Sequence, residues 1–429
     1  MSPTDRRRLL LIAAAAFGLR LGAAVLTERH PLFPSFYYTD AHLVDAAAAQ
    51  AISDLKSGRQ PDYSGGSLSQ RFQVRLQTTV YGVIGVHPFA MKVLACLLGS
   101  LALVGLGLTC APACGSTAAL AAAALCAAWP SNVFYTSQNF KEAPTNFFAY
   151  AALGCLTALL SRRGRETRRT WLLAAGGAVF LLATGFYRSY VMLTCAAAVA
   201  AGAAWGWARA PRGRRASLAA CLAAAALAPS VFVPVARVVM TRGLDVSATL
   251  NPRLHPQIIP VTYNSSTTNA YLPDSPQGIT MFRTIHQTGD QSWAKSKMHR
   301  EIGTQLFPGA IFKTWTDVAV FVPKSAFYVL FMPLPGLYPM DGKLGRMLAA
   351  SENVLLLALA VLGVIGFARG RLTSSRIALA SFFLMMTVGS ALLEFDLGSA
   401  GRHKLLYLPM LFPFAAEEVL RLLGRKEPA

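Results

Sequence analysis

Long apolar stretches recur along the chain, and short polar or basic segments separate them. Each stretch holds roughly 20 mostly apolar residues, which is the length that an α-helix needs to cross the hydrocarbon core of a bilayer. The pattern therefore predicts an all-α polytopic membrane protein with about ten transmembrane helices, in a single membrane domain of residues 1–429. The predicted spans are 9–27, 89–110, 116–134, 145–161, 171–187, 190–208, 217–238, 352–368, 375–395 and 405–420.

A further apolar segment, residues 311–340, is interrupted by charges. Lys313, Asp317 and Lys324 lie within it, and three prolines follow from residue 333 onward. Each charge at the centre of a span would cost roughly 2.5–3.5 kcal/mol on the insertion scale. We therefore predict that this segment lies at the membrane interface, or enters the membrane again without crossing it.

The basic residues give an independent prediction of topology. If 311–340 does not cross, all five basic tracts fall on one side, which the positive-inside rule makes the cytoplasm. Both termini are then cytoplasmic, and two large loops, 28–88 and 239–310, lie on the external or periplasmic side of the cell inner (plasma) membrane. All seven histidines also fall on that side, so we expect the chemistry there. The tracts are 6–8, 162–169, 209–215, 369–376 and 421–426.

Composition excludes a soluble globular protein and a nucleic-acid-binding protein. Hydrophobic residues make up 54% of the chain and charged residues only 14%, against about 25% in soluble domains, and the mean hydropathy is +0.43. No aromatic residues alternate with the basic tracts as a base-stacking surface requires, so the net charge of +20 indicates membrane lipids and no nucleic acid as partners. The seven cysteines lie in or beside predicted spans, which indicates neither a disulfide framework nor a zinc site.

The first external loop offers one candidate catalytic carboxylate. Asp40 lies where an aromatic segment gives way to an alanine-rich helical stretch. A carboxylate at this place can accept a proton from a sugar or lipid hydroxyl, and Asp40 or Thr39 can equally cap the helix. Asp45 follows about 140° further round the helix, so we expect it to be a solvated side chain and not a partner of Asp40.

The short loop after the third span holds polar residues between two apolar helices. Lys141 and Glu142 precede Pro144, a combination that suits an ordinary helix start. The same two side chains can instead line a polar substrate cleft that faces the first loop. Both interpretations stay open at this point.

Three potential cations, Arg402, His403 and Lys404, precede the last span on the external side, against the positive-inside pattern. An anionic ligand accounts for them, since arginine and lysine bind phosphate by charge and donor geometry. The alternative is neutralisation by Glu394 and Asp396 just upstream.

Two further arginines are candidates for polar sites. Arg188 lies between two tyrosines at the external end of the fifth span, where it can bind phosphate or anchor the helix at the interface. Arg20 lies deep in the first span, and ionisable residues at such depth usually face a polar interior. Helix pairing and a functional pocket both suit Arg20.

In order and topology these motifs resemble the GT-C superfamily of membrane glycosyltransferases, particularly bacterial family 39, the protein mannosyltransferase-like enzymes. The resemblance begins with the arginine-bearing first span and Asp40, and continues at Tyr81–Gly85 before the second span. It then includes the hairpin 130–142 and the closing segment 401–404 with Pro409. The resemblance extends over most of the chain.

Such a resemblance implies an enzyme that transfers a hexosyl or pentosyl group from a polyprenyl-phosphate carrier to a lipid, glycan or protein acceptor at the external membrane face. Asp40 would be the general base of an inverting displacement, and fixed positive charge would stabilise the leaving phosphate. The substrate- and phosphate-binding candidates are Arg402, His403, Lys404, Arg188, Lys141 and Glu142.

The resemblance also implies that segment 311–340 lies beside a groove for the lipid carrier. Many relatives have a second acidic residue directly after the first, and this chain has Ala41 there. This departure casts doubt on metal binding at the first loop, so no cofactor is assigned and a divalent metal ion is left open.

Two other classes of protein suit a polytopic chain: a transporter or flippase of lipid-linked saccharide, and a non-enzymatic membrane component of polysaccharide assembly. Transporters often contain inverted repeats with a binding site at mid-membrane. The sequence shows no such repeat, and its candidate residues gather on one face. A scaffold would not need external loops this rich in reactive side chains, so a transferase is the leading hypothesis.

Overall fold

The computed structural model describes residues 1–30, 39–63, 67–162, 168–242, 275–298, 304–339 and 344–424. Within these ranges the chain folds into fifteen α-helices, and a 3₁₀ turn, Leu408–Met410, separates the last two. The helices are α1 (Pro3–Arg29), α2 (Thr39–Lys56), α3 (Leu68–Ile84), α4 (Pro88–Ala128), α5 (Pro130–Thr136), α6 (Glu142–Ser161), α7 (Arg168–Tyr187), α8 (Ser189–Trp207), α9 (Arg212–Arg242), α10 (Pro276–Met298), α11 (Trp315–Phe331), α12 (Leu344–Arg369), α13 (Ser374–Leu393), α14 (Leu397–Tyr407) and α15 (Phe412–Leu422).

Eight of the described helices are long and apolar enough to cross a membrane: α1, α4, α6, α7, α8, α9, α12 and α13. Each of them overlaps a span that the hydrophobic pattern predicts. The chain is therefore an all-α, multi-pass membrane protein, as that pattern indicates.

Helix α4 contains most of two predicted spans, 89–110 and 116–134, in one element of 41 residues. Its backbone leaves helical geometry at Gly115, where φ is 82° and ψ is 165°. Only glycine adopts this conformation without strain, and Pro112 just before it lacks an amide hydrogen for the helix. The two predicted spans are therefore two arms that meet at Gly115.

The contacts of α1 show how these arms run. Ser116, at the bend, interacts with the carboxylate of Asp5 at the start of α1. Arg20, four turns further along α1, lies near both Cys96 in the first arm and Cys126 in the second. The two arms therefore run antiparallel beside α1, and the chain crosses the bundle more often than its count of continuous helices suggests.

The last predicted span, 405–420, is divided in the structure. Helix α14 ends at Tyr407, the 3₁₀ turn follows, and α15 then begins. Pro409 and Pro413 have no amide hydrogen to donate, which accounts for the interruption. The turn is nevertheless buried, so this divided segment packs inside the bundle.

Small residues let the spanning helices approach one another closely. A Cβ added at Gly105 of α4 would lie 3.0 Å from the side chain of Tyr150 on α6. A Cβ at Gly202 of α8 would lie 2.5 Å from the carbonyl oxygen of Ser374 on α13. Close packing at such small residues stabilises helix pairs where both helices lie in lipid.

Just over half of segment 311–340 forms α11. Lys313 and Asp317 lie at the start of that helix, and Lys324 lies near its middle. Thr314 accepts a hydrogen bond from the amide of Asp317, whose carboxylate accepts from the amides of Lys313 at 2.9 Å and Thr314 at 2.8 Å. The hydroxyl of Ser325 donates to a backbone carbonyl of α13 at 2.7 Å. Helix α11 is thus capped by Thr314 and Asp317 and packed on α13.

Part of the basic tract 369–376 forms ion pairs within the bundle. The side chain of Arg376 is 3% exposed and donates to Glu417 at 2.6 Å, and Arg369 donates to Glu418 at 2.5 Å. These pairs join α12 and α13 to α15. Arg369 and Arg376, which the positive-inside rule treats as signals of topology, therefore also hold the last helix in place.

Candidate functional site

The connecting loop, residues 137–141 between α5 and α6, lies at the centre of the polar contacts. The amide of Gln138 donates to the hydroxyl of Thr27 at 2.9 Å, which fixes the loop to the end of α1. The Nε of Arg20, a fully buried residue, donates to Thr136 Oγ1 at 2.8 Å. Arg20, for which the sequence leaves two roles open, therefore pairs α1 with the helix that precedes the loop.

On another side the connecting loop contacts α2 and α3, the two helices of segment 28–88. Asn139 Nδ2 donates to Asp45 Oδ1 at 2.9 Å and to Gln77 Oε1 at 2.8 Å. Lys141 Nζ donates to Ser69 Oγ at 3.1 Å. The structure thus places the hairpin with Lys141 against the segment that the sequence assigns to the first external loop.

Glu142, the first residue of α6, forms an ion pair with Arg188, which lies between α7 and α8. Their charged atoms are 2.8 Å apart, and their side chains are only 6% and 12% exposed. Arg188 also donates to the hydroxyl of Tyr190 at 2.6 Å. Burial lowers the pKa of Arg188, but Tyr190 and Glu142 more than offset this and leave the pKa above its ordinary value. Arg188 is therefore a fixed cation.

His403 on α14 is hydrogen-bonded through Nδ1 to Glu394 Oε1, in the turn after α13. Burial lowers the pKa of His403, Arg188 lowers it further, and Glu394 opposes this only in part. Burial raises the pKa of Glu394, but His403, Arg188 and Arg402 outweigh it, so the pKa lies below its ordinary value. At neutral pH the pair consists of a charged carboxylate and a neutral imidazole.

The turn that contains Glu394 is itself held in place from α10. Arg283 of α10 donates to the backbone carbonyl of Glu394 at 2.9 Å. Asp396 caps α14 by accepting from the amide of Ser399 at 3.0 Å, and its backbone pairs with Gln305 in an isolated antiparallel bridge. Of the two carboxylates expected to neutralise the cations, Glu394 binds His403 and Asp396 serves as a helix cap.

Arg402 completes a group of charged residues at one end of the bundle. Its guanidinium carbon lies 5.8 Å from the ring centre of Phe140 in the connecting loop. Its charge contributes to the pKa values of Glu394, His403 and Arg188, which places it close to all three. We refer to these residues as the polar cluster: Glu142, Arg188, Glu394, Arg402 and His403.

Lys404 has different partners from its two neighbours in the sequence. Its Nζ donates to the carbonyl of Leu330 at 2.9 Å and to Asn353 Oδ1 at 2.6 Å. Successive residues of a helix point about 100° apart, so Lys404 faces α11 and α12. Burial lowers the pKa of its ammonium group to about 8, although Glu352 acts in the opposite direction. Lys404 therefore joins three helices.

Asp40 is the second residue of α2. Its side chain lies outside the described part of the chain. The helix that contains it reaches the connecting loop through Asp45, about 7.5 Å further along the helix axis. Among the described residues, no group of three His, Cys, Asp or Glu side chains has the arrangement of a metal site.

The structure shows one polar network that sequence reasoning missed. Asp45 Oδ1 accepts hydrogen bonds from Asn139 Nδ2 at 2.9 Å, from the hydroxyl of Tyr81 at 3.0 Å and from Gln77 Nε2. The expectation of a solvated Asp45 is therefore wrong. Its partners lie 32 to 94 residues away in the sequence, where a local pattern does not reveal them. One sequence pattern could have indicated this network: Gln73, Gln77 and Tyr81 are spaced four residues apart, which places their polar groups on one face of α3.

Comparison with known proteins supports a fold and does not identify a sequence family. No family model matches the chain, and no similar sequence is found among curated proteins. A solved structure of the archaeal oligosaccharyltransferase AglB from Archaeoglobus fulgidus, in complex with an inhibitory peptide and a dolichol-phosphate, matches with a TM-score of 0.53 at 13% identity. The match covers 100% of this chain and 53% of AglB, so this chain spans about half the length of that protein. The chain therefore has a fold similar to that of about half of AglB.

Proposed function

We propose that this chain is an inverting glycosyltransferase that moves a hexosyl or pentosyl group from a polyprenyl-phosphate carrier to a lipid, glycan or protein acceptor. The observation that carries the proposal is the meeting of α2, the connecting loop and the two arginines Arg188 and Arg402 at one end of the bundle. The likeness in fold to an enzyme that was solved with a dolichol-phosphate supports a lipid carrier.

In the proposed reaction Asp40 accepts the proton of an acceptor hydroxyl while the oxygen attacks the anomeric carbon of the sugar. The bond between that carbon and the phosphate oxygen breaks, and its electron pair leaves with the polyprenyl phosphate. Attack from the opposite face inverts the configuration at the anomeric carbon. A general base for this step must lie within about 3 Å of the hydroxyl.

Positive charge from Arg402 and Arg188 would stabilise the leaving phosphate. The hydrogen bonds of Arg188 to Glu142 and Tyr190 use two of the five N–H groups of its guanidinium and fix its direction. His403 is neutral at neutral pH, so it would bind the phosphate as a hydrogen-bonding group and not as a charge.

Two lysines would have supporting roles in this scheme. Lys141, held to α3 beside Glu142, would line the cleft between the connecting loop and the first loop. Lys404, whose partners are on α11 and α12, would support phosphate binding by holding α14 and thereby Arg402 in position.

We place the polar cluster on the external or periplasmic side of the inner membrane, with both termini in the cytoplasm. The basic ion pairs of Arg369 and Arg376 support this orientation, because they join α12 and α13 at the ends opposite the polar cluster. Segment 311–340 would lie at the interface beside the carrier groove. Trp315 and Val320 of α11 support that position, since they are apolar and 58% and 73% exposed.

A transfer assay tests the proposal. The purified chain is reconstituted into vesicles with lipid-linked sugars extracted from the host envelope, and mass spectrometry follows the released polyprenyl phosphate and the glycosylated acceptor. Asp40→Asn should lower turnover by roughly 100-fold or more, the range expected for loss of a general base, while carrier binding is retained. Asp54→Asn is the matched control on the same helix, because Asp54 pairs with Arg59 and Gln50.

The same assay distinguishes the other two classes of protein. A flippase would move lipid-linked saccharide across the vesicle membrane without forming a new glycosidic bond. An assembly scaffold would do neither. Transport or binding that survives Asp40→Asn, with no transfer by the wild-type chain, would exclude the transferase. Mass spectrometry of envelope glycans from cells with and without the gene would then identify the sugar and its acceptor.

A further inference from the structure

Of the two carboxylate oxygens of Asp45, one accepts hydrogen bonds from described residues and the other does not. All of its hydrogen bonds are made by Oδ1, with Asn139 Nδ2 at 2.9 Å, Tyr81 Oη at 3.0 Å and Gln77 Nε2 as donors. No hydrogen bond reaches Oδ2 from the residues that the structure describes. Asp45 is partly exposed, so a ligand has access to that second oxygen.

The three donors have fixed positions of their own. Gln77 Nε2 is also hydrogen-bonded to Tyr81 Oη at 2.7 Å, and Asn139 Nδ2 also donates to Gln77 Oε1 at 2.8 Å. Gln77 is 0% exposed, Tyr81 1% and Asn139 5%. The network therefore holds the carboxylate in one orientation, with Oδ2 as its remaining acceptor.

A purely structural network at this place would not need a negative charge. An amide oxygen accepts hydrogen bonds from the same donors without the free-energy cost of removing a carboxylate from water. Within the described part of the chain, no Lys, Arg or His forms an ion pair with Asp45. The charge of the carboxylate is therefore available to a ligand that offers a hydrogen-bond donor to Oδ2.

Two successive residues of the connecting loop link Asp45 to the polar cluster. Its partner Asn139 is followed directly by Phe140, whose ring lies 5.8 Å from the guanidinium carbon of Arg402. The Cα atoms of adjacent residues are about 3.8 Å apart, so the two sites share one stretch of backbone. A ligand that reaches both sites needs an anionic group for the arginines and a hydroxyl donor for the carboxylate.

We propose that Asp45 binds a hydroxyl group of the transferred sugar through Oδ2 and thereby distinguishes sugar-bearing carrier from bare polyprenyl phosphate. This inference rests on the proposed function. It involves no proton transfer: the sugar hydroxyl donates a hydrogen bond to Oδ2, and Asp40 remains the base for the acceptor.

The experiment measures the binding of two probes to the purified chain in detergent by thermal stabilisation. The probes are bare polyprenyl phosphate and a panel of polyprenyl-phosphate-linked hexoses and pentoses. Asp45→Asn keeps Oδ1 for its three donors and replaces Oδ2 by an amide donor. We expect the variant to bind the bare carrier as the wild type does and the preferred sugar-linked carrier about 10-fold more weakly, as for the loss of one hydrogen bond to a charged group. Asp54→Asn on the same helix is the matched control and should bind both probes normally.

Each other outcome has a definite meaning. If wild type and Asp45→Asn bind every sugar-linked carrier equally, or if the sugar adds nothing to binding by the wild type, the role of Asp45 is refuted and the transferase function stands. If the wild type binds neither probe, both proposals fail. Equal weakening for both probes would indicate a structural role and refute the proposal. If Asp45→Asn does not fold, Asp45→Ser serves as a second variant that keeps an oxygen near the network.

Discussion

At the residue scale, Glu142 and Arg188 form an ion pair with little access to water, since their side chains are 6% and 12% exposed. Removing one partner of such a pair leaves a buried charge without compensation, at a cost of about 3–5 kcal/mol. We expect Glu142→Gln to lower the midpoint of thermal unfolding in detergent, and the double variant Glu142→Gln/Arg188→Gln to recover much of that loss. Losses that simply add in the double variant would contradict the pairing.

His403 makes the stability of the protein depend on pH. Burial and Arg188 lower its pKa in the folded state, whereas in the unfolded chain the pKa returns to about 6.5. Between the two values the unfolded state binds more protons, so the stability due to neutral His403 is present above about pH 6.5 and is lost as the pH falls.

Comparison of thermal midpoints for the wild type and His403→Gln between pH 7.5 and 5 tests this sign. The charged groups that face His403 are Arg188, Glu394, Arg402 and Glu142, and all four are present in both proteins. The advantage of the wild type should shrink toward low pH. A wild type that gains on the variant as the pH falls would show that Glu394 dominates and that the imidazole is charged in the folded state.

Sequence reasoning at this scale identified residue types better than partners. It grouped Arg402 with Lys404 because they are close in the chain, and the rotation of the helix separates them. It took Asp45 for a solvated residue because it compared that position only with Asp40. The actual donors to Asp45 belong to α3 and the connecting loop, and no local pattern specifies which helix packs beside α2.

At the scale of elements, the bend of α4 depends on one glycine. Gly115 has a positive φ of 82°, in a region that other residues reach only with strain of about 1–3 kcal/mol. We expect Gly115→Ala to lower the thermal midpoint in detergent. Gly389→Ala is the matched control, because a Cβ there meets nothing within 4 Å and alanine favours the helix. Equal effects of the two changes would contradict a role for Gly115 in the bend.

The spanning helices could be predicted because the thickness of the bilayer sets their length and lipid requires apolar side chains. Their interruptions were less accessible from the sequence. The pattern placed a boundary between 110 and 116, close to the bend at Gly115, but it read 405–420 as one span where Pro409 and Pro413 divide it. The docking of α10 through Arg283 on the turn at Glu394 has no local signal, since Arg283 binds backbone carbonyls.

At the scale of the whole molecule, the orientation in the membrane is open to a direct test. Six of the seven cysteines are buried and Cys155 is partly buried, so the native chain should react little with a membrane-impermeant maleimide. Ser57 after α2 and Arg371 before α13 are both exposed. In intact cells we expect labelling of Ser57→Cys, and labelling of Arg371→Cys only after the membrane is permeabilised. The reverse pattern would place the polar cluster in the cytoplasm.

The connecting loop has a consequence for how much change this chain tolerates. Asn139 contacts α2 and α3, Phe140 faces α14, Lys141 contacts α3 and Glu142 pairs with Arg188. Each consecutive side chain thus has a different neighbour, and inserting a single residue would shift every one of them out of register at once. The number of residues in this stretch should therefore be under stronger selection than the identity of any one of them.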